Sequence, residues 1–224
     1  MVKIYADGAS LDEMKSLAPK LDGFTTNPSL MRKAGVTDYL AFCRAASALG
    51  KPISFEVFAD EFADMKRQAR ILAALGPNVY VKIPITNTTG QSSAELIAQL
   101  SAQGIRLNIT AVFTQNQVQA AAAALTGTPA IISIFAGRIA DTGKDPKAIC
   151  RFARNHCSPH VEILWASTRE LINIQQAEAC GCDIITVPND ILRKMPLFTK
   201  DLTEYSLETV RMFHDDALAS GYVL

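Results

Sequence analysis

The chain lacks the features that would tie it to a membrane, a polyanion or a disulfide framework. No apolar stretch approaches the ~18 residues that a membrane span requires; the longest runs, 120–125 and 130–136, are far shorter. The first residues, MVKIYAD, show no basic segment leading into an apolar one, so no secretion signal is expected. Neither sign of charge predominates. The 22 lysines and arginines balance 22 aspartates and glutamates, leaving no broad field to gather nucleic acid or an anionic lipid surface. Any anionic ligand must be held by a few placed cations. Cysteine is sparse and odd in number: Cys43, Cys150, Cys157, Cys180 and Cys182 match no secreted spacing. Reduced thiols and a cytoplasmic setting are expected. Cys150, His156, Cys157 and His160 fit no standard zinc spacing, so no metal is expected. No strand-like run leads into a Gly-x-Gly-x-x-Gly turn, which weighs against an open, doubly wound nucleotide-binding sheet.

What is present is a regular alternation. Eight short, apolar, β-branched runs, at 2–6, 23–26, 53–57, 79–84, 106–110, 130–135, 161–166 and 184–188, read as strands buried on both faces. Between them lie segments of helical periodicity, including 60–75, 92–103, 114–125, 144–156 and 168–180. Ser92 with Glu95 and Thr114 with Gln117 have capping-box spacing. Eight β/α units in 224 residues, 49% of them hydrophobic, predict an α/β fold: a single (β/α)8 TIM barrel over residues 1–224. A last segment, 203–220, places Tyr205, Leu207, Val210, Phe213, Ala217 and Leu218 on one helical face. It predicts an extra C-terminal helix that covers the barrel bottom or reaches a neighbouring subunit.

Lys82 stands out within the run VYVKIP at 79–84. Taking an ammonium out of water is expensive, and desolvation lowers a lysine's pKa from its ordinary ~10.4. A neutral amine can attack a carbonyl and form a Schiff base. The plainer reading is a lysine that extends its head to solvent from a strand end. Its company favours the first. Barrel enzymes build their sites at the C-terminal ends of the strands, and those positions here hold Asp7, Asn27, Glu56, Lys82, Asn108, Thr110, Ser133, Arg138, Ser167 and Arg169. Asn108 and Thr110, two apart on one strand, should face the same way. Each alone could be a satisfied structural polar group; together, around a lysine, they point to a site.

These residues also carry a resemblance. GFTTNPS at 23–29 and YVKIP at 80–84 resemble the N-terminal signature and the Schiff-base lysine segment of the transaldolases. NITAVF at 108–113, SIFAGRI at 133–139 and ASTR at 166–169 resemble later blocks of that family, in the same order. The length is similar to that of the short subfamily, which includes fructose-6-phosphate aldolases. The resemblance implies that Lys82 attacks the ketone of a ketose phosphate while Asp7 takes the C4 hydroxyl proton as the C3–C4 bond breaks. It assigns Glu56 to proton shuttling through a water positioned by Thr110, and Asn27, Asn108 and Ser133 to the donor hydroxyls. Arg138, Arg169 and Ser167 would take the phosphate, with Arg169 in the first turn of a helix where free N–H groups favour an anion. Glu56, Asn108 and Phe135 are similar to the transaldolase branch; the aldolase branch has glutamine, a smaller residue and tyrosine there. Trp165, the only tryptophan, departs from the pattern: it either packs outward or reshapes the acceptor pocket. The implied activity is a cofactor-free transaldolase, with a fructose-6-phosphate aldolase or an enzyme of an unusual sugar phosphate as the alternative. The implied assembly is a homo-oligomer, a decamer. A pyridoxal-phosphate enzyme or a sugar-phosphate binding protein would also use a lysine or a phosphate site.

Overall fold

The structure, a computed structural model, describes residues 1–223. Eight parallel strands close in chain order into a barrel. They are β1 (Lys3–Asp7), β2 (Gly23–Thr25), β3 (Ile53–Glu56), β4 (Val79–Pro84), β5 (Leu107–Val112), β6 (Ala130–Ile134), β7 (Val161–Trp165) and β8 (Ile184–Pro188). β8 returns to β1 in register from Lys3 with Ile184 to Asp7 with Pro188, which closes the barrel and removes its edges. The expected TIM barrel is the observed fold. Chain contacts separate the molecule into two compact units, Met1–Leu192 and the segment from Arg193 onward.

Strand alternation explains how a barrel filled with apolar side chains presents a polar mouth. Tyr5, Tyr80, Ile131, Leu164, Ala166 and Ile184 form one buried cluster. Two residues beyond Tyr5, Tyr80, Ile131 and Ile184 on their strands stand Asp7, Lys82, Ser133 and Thr186. A side chain at i+2 lies on the same face of a strand as that at i, so an apolar layer is followed by a largely polar one. Each large apolar side chain buried in the first layer contributes about 1.5–3 kcal/mol, which supports the polar layer above it.

Local chemistry accounts for the helices. Asn27, Asp38, Ser10 and Thr114 each accept a backbone N–H at a helix start, and Thr114 with Gln117 completes a capping box. The Ser92 box does not form. The helix there runs Ala94–Ala102 behind Ser93 without a side-chain cap, and Ser92 Oγ accepts from Ala94 N. The expected helix 168–180 is also shorter, Asn173–Ala179. Among the described residues, no helix is long and apolar enough to cross a membrane. In the second unit, Asp201 caps a helix Leu202–Ser220, ended by Gly221 in the left-handed conformation. That helix buries none of its residues.

Candidate active site

Lys82 is 6% exposed. Its Nζ donates to the carbonyl of Thr26 at 2.9 Å and lies 3.0 Å from Glu56 Oε2. This is not a lysine reaching out to water. Glu56 and Lys82 are register partners on β3 and β4, and Lys82 and Asn108 on β4 and β5; paired residues of neighbouring parallel strands project to the same side. The Glu56 end of β3 is held from outside by Tyr39, whose hydroxyl donates to the Glu56 carbonyl at 2.6 Å.

Asp7 ends β1. Thr25 Oγ1 donates to Asp7 Oδ1 at 2.8 Å and touches the Thr186 hydroxyl, so three strands fix this carboxylate. Asp7 is packed by protein on nearly all sides but keeps part of its surface open to the cavity. Burial raises its pKa above the ordinary value; the Lys82 charge and the Thr25 hydrogen bond oppose that shift, and the Glu56 charge adds to it.

A cavity of about 170 Å³ opens at this end of the barrel. Asp7, Asn27, Lys82, Thr110, Ser133, Phe135, Arg138, Ser167 and Arg169 all line it. Thr110 Oγ1 is buried and makes no hydrogen bond to another described residue. It is aimed by a bulge: the β5–β6 register shifts between Ile109 and Val112, with Ala111 at φ 58. Bulges at barrel rims redirect single side chains in this way. Phe135 stands 5.5 Å from the Phe113 ring, with the Arg138 guanidinium 5.5 Å over its own ring.

Two expected residues are not among those that line the cavity. Glu56, its side chain 18% exposed, adjoins it through Lys82. Asn108 is fully buried, donating to Ser54 Oγ at 3.0 Å and accepting from Ser133 Oγ at 2.7 Å. These two bonds tie Asn108 to Ser133, which lines the cavity. Asn27 lines the cavity, with Oδ1 already accepting from Leu30 N as a helix cap.

The arginine end differs from expectation in one respect. Arg169 lies four residues before its helix, and its backbone N–H donates to Asn173 Oδ1 at 2.9 Å. Contrary to expectation, Arg169 is therefore not in the first turn of a helix. The guanidinium pairs with Asp141 at 2.6 Å. Gly137 brings the Arg138 segment and the Ser167–Arg169 segment together, because a Cβ at Gly137 would lie 1.6 Å from the Ser167 carbonyl oxygen. Ser167 itself sits at φ 63, a conformation that a non-glycine residue adopts at some cost.

Sequence reasoning missed Ser54, Thr186 and Tyr39. Alternation held a signal for Ser54, two before Glu56, and for Thr186, two after Ile184. Tyr39 comes from a helix, so strand-end reasoning could not reach it.

The sequence profile of the Transaldolase/Fructose-6-phosphate aldolase family matches residues 4–220. The chain belongs to the transaldolase/fructose-6-phosphate aldolase family. It is 33% identical over 212 residues to a "probable transaldolase" of Methanococcus maripaludis, with 92% of this chain and 94% of the relative covered. A "probable transaldolase" of Dehalococcoides mccartyi is 34% identical over 201 residues, covering 87% and 90%. The crystal structure of CutC from Streptococcus agalactiae superposes with a TM-score of 0.62 at 14% identity, covering 83% of this chain and 98% of that one; that likeness concerns the fold. For this member of the transaldolase/aldolase family, the Trp165 question has a geometric answer. Trp165 is 1% exposed and does not line the cavity, whereas its neighbours Leu164 and Ala166 do. It packs on the outer face of β7.

Proposed function

We propose that the protein is a Schiff-base transaldolase that moves a dihydroxyacetone unit from a ketose phosphate, such as fructose 6-phosphate or sedoheptulose 7-phosphate, to an aldose phosphate. The observation that carries this reading is the buried Lys82 amine held between Glu56 and the Thr26 carbonyl at the floor of the cavity. Proton transfer from Lys82 to Glu56 across that contact exposes a nucleophilic nitrogen. It adds to the C2 ketone, and loss of water gives a protonated imine. The water and its protons pass between Glu56 and the Thr110 hydroxyl, which lines the cavity. Asp7 then takes the C4 hydroxyl proton, C3–C4 breaks, the aldose phosphate leaves and the electron pair is held on C3 by the iminium. Addition of that carbon to a new aldehyde and hydrolysis of the imine complete the transfer. No cofactor takes part.

Transfer is preferred to release of free dihydroxyacetone because the ring beside the intermediate belongs to Phe135, which has no proton to give. Arg138 and Arg169 receive the phosphate, the second exchanging Asp141 for it. The five free, buried cysteines suit a cytoplasmic setting. The helix Leu202–Ser220, with Leu207, Val210 and Phe213 exposed, packs in this reading on a neighbouring subunit of a homo-oligomer, a decamer. Light scattering of the purified chain tests that assembly.

The catalytic reading is tested by adding borohydride with fructose 6-phosphate. A reduced three-carbon adduct is expected on Lys82, together with loss of activity. Turnover with and without erythrose 4-phosphate, following glyceraldehyde 3-phosphate and free dihydroxyacetone, separates transfer from cleavage. An adduct on another lysine, or full activity in Lys82→Ala, would overturn the mechanism.

A further inference from the structure

A second cluster of reactive side chains shares no residue with the barrel mouth. The Sγ atoms of Cys150, Cys180 and Cys182 lie within 4.8 Å of one another, and all three residues are buried. They come from two places in the chain. Cys150 is on the helix Lys147–His156. Cys180 and Cys182 flank the end of the helix Asn173–Ala179. The sequence-adjacent group of Cys150, His156, Cys157 and His160 does not assemble: His156 stacks on Phe152, and His160 Nε2 accepts from Gly127 N.

The Cys-Gly-Cys turn presents two sulfurs as a preset pair. Gly181 has φ +82. Its N–H donates to Glu178 O at 3.1 Å, and the Cys182 N–H donates to Ala177 O at 3.0 Å. This is the Schellman pattern, which needs a residue in the left-handed conformation after the helix end. The motif holds Cys180 Sγ and Cys182 Sγ 3.7 Å apart, and Cys150 supplies a third sulfur from the facing helix. For equilateral triangles of 3.7 Å and 4.8 Å edge, the centre is roughly 2.1 and 2.8 Å from each corner (edge divided by √3), bracketing the ~2.3 Å thiolate–metal bond.

We propose that Cys150, Cys180 and Cys182 form a binding site for a thiophilic monovalent cation, Cu(I) in the first instance, held by three sulfurs. Buried cysteines usually serve as small apolar residues, and Cys43 and Cys157 are buried apart from this cluster. Three sulfurs meeting at one point, two of them fixed by a helix-end motif, is a ligand arrangement. Thiolate selects soft ions, and Zn(II) prefers four ligands. No fourth histidine, cysteine or carboxylate joins the group among the described residues, which favours a three-coordinate ion. Binding replaces the protons of the coordinating thiols by the cation, and those protons leave to solvent. No electron moves, because the ion enters as Cu(I).

The test is anaerobic titration of the reduced full chain with Cu(I) delivered from a weaker chromophoric chelator. One equivalent per chain is expected to transfer, with sulfur-to-copper absorbance in the near ultraviolet and a sulfur-only shell of three by X-ray absorption. Cys180→Ala should lose this binding, and Cys43→Ala with Cys157→Ala should keep it. The wild-type shell decides the matter even if Cys180→Ala fails to fold. A two-sulfur or nitrogen-containing shell, no transfer from the chelator, or equal loss in the Cys43/Cys157 variant would each overturn the site.

Discussion

Glu56 and Lys82 are register partners on adjacent parallel strands, and their side chains meet at 3.0 Å inside the barrel. The position of each is set by the ladder, so neither depends on loop conformation to find the other. A buried ion pair of this kind is poor evidence for stability, because desolvation offsets most of its attraction. In the proposed mechanism it is the proton donor and acceptor for imine formation.

Glu56→Gln keeps the shape of that contact and removes its basicity. kcat should fall by about 10²- to 10⁴-fold, the usual range for a lost general acid–base group, with little change in KM. Trapping with borohydride should slow in proportion. Steady-state rates and adduct mass measure both; an unchanged kcat would remove Glu56 from the proton path.

The two arginines should separate. Arg138→Ala is expected to raise KM for fructose 6-phosphate by roughly 10- to 100-fold, as a hydrogen bond to a charged group contributes about 1.5–3 kcal/mol. Arg169→Ala should cost less, because Arg169 must first release Asp141. Dihydroxyacetone as donor, lacking phosphate, should be nearly indifferent to either change. Equal losses for both donors would assign the arginines to the fold.

Phe135→Tyr should shift the ratio of cleavage to transfer toward free dihydroxyacetone. A phenol, with a pKa near 10, stays protonated at neutral pH and can deliver its proton to the carbon that the proposed mechanism holds on Lys82. Product analysis at fixed fructose 6-phosphate reads the ratio directly, and a folded, substrate-binding variant with the wild-type ratio would rule this ring out as the switch.

Asp7→Asn should abolish turnover and yet stabilise the fold at neutral pH. Burial raises the Asp7 pKa above its ordinary value, so the folded state binds this proton more tightly than the unfolded state does. The wild type therefore gains stability as pH falls through the raised folded pKa, whereas asparagine does not titrate. The variant's advantage in Tm should be largest near pH 7–8 and should shrink on acidification. A wild type that is the more stable at pH 8 would show that the Lys82 attraction outweighs burial.

Much of this protein is written locally. Eight short apolar runs separated by helical segments determined the barrel, and the two-residue period of strand geometry determined that Asp7, Lys82 and Ser133 face one mouth, since i and i+2 share a face whatever the surroundings. The sequence alone could not show that Asn108 is enclosed by Ser54 and Ser133, that Tyr39 holds the Glu56 carbonyl, or that Arg169 is paired with Asp141 and has its N–H occupied by Asn173. Nor could it show that Cys150 meets Cys180 and Cys182 and not Cys157. Those relationships join residues 17 to 54 positions apart or choose among nearby partners. They depend on barrel closure and helix packing, which bring together side chains whose spacing along the chain carries no periodic signal.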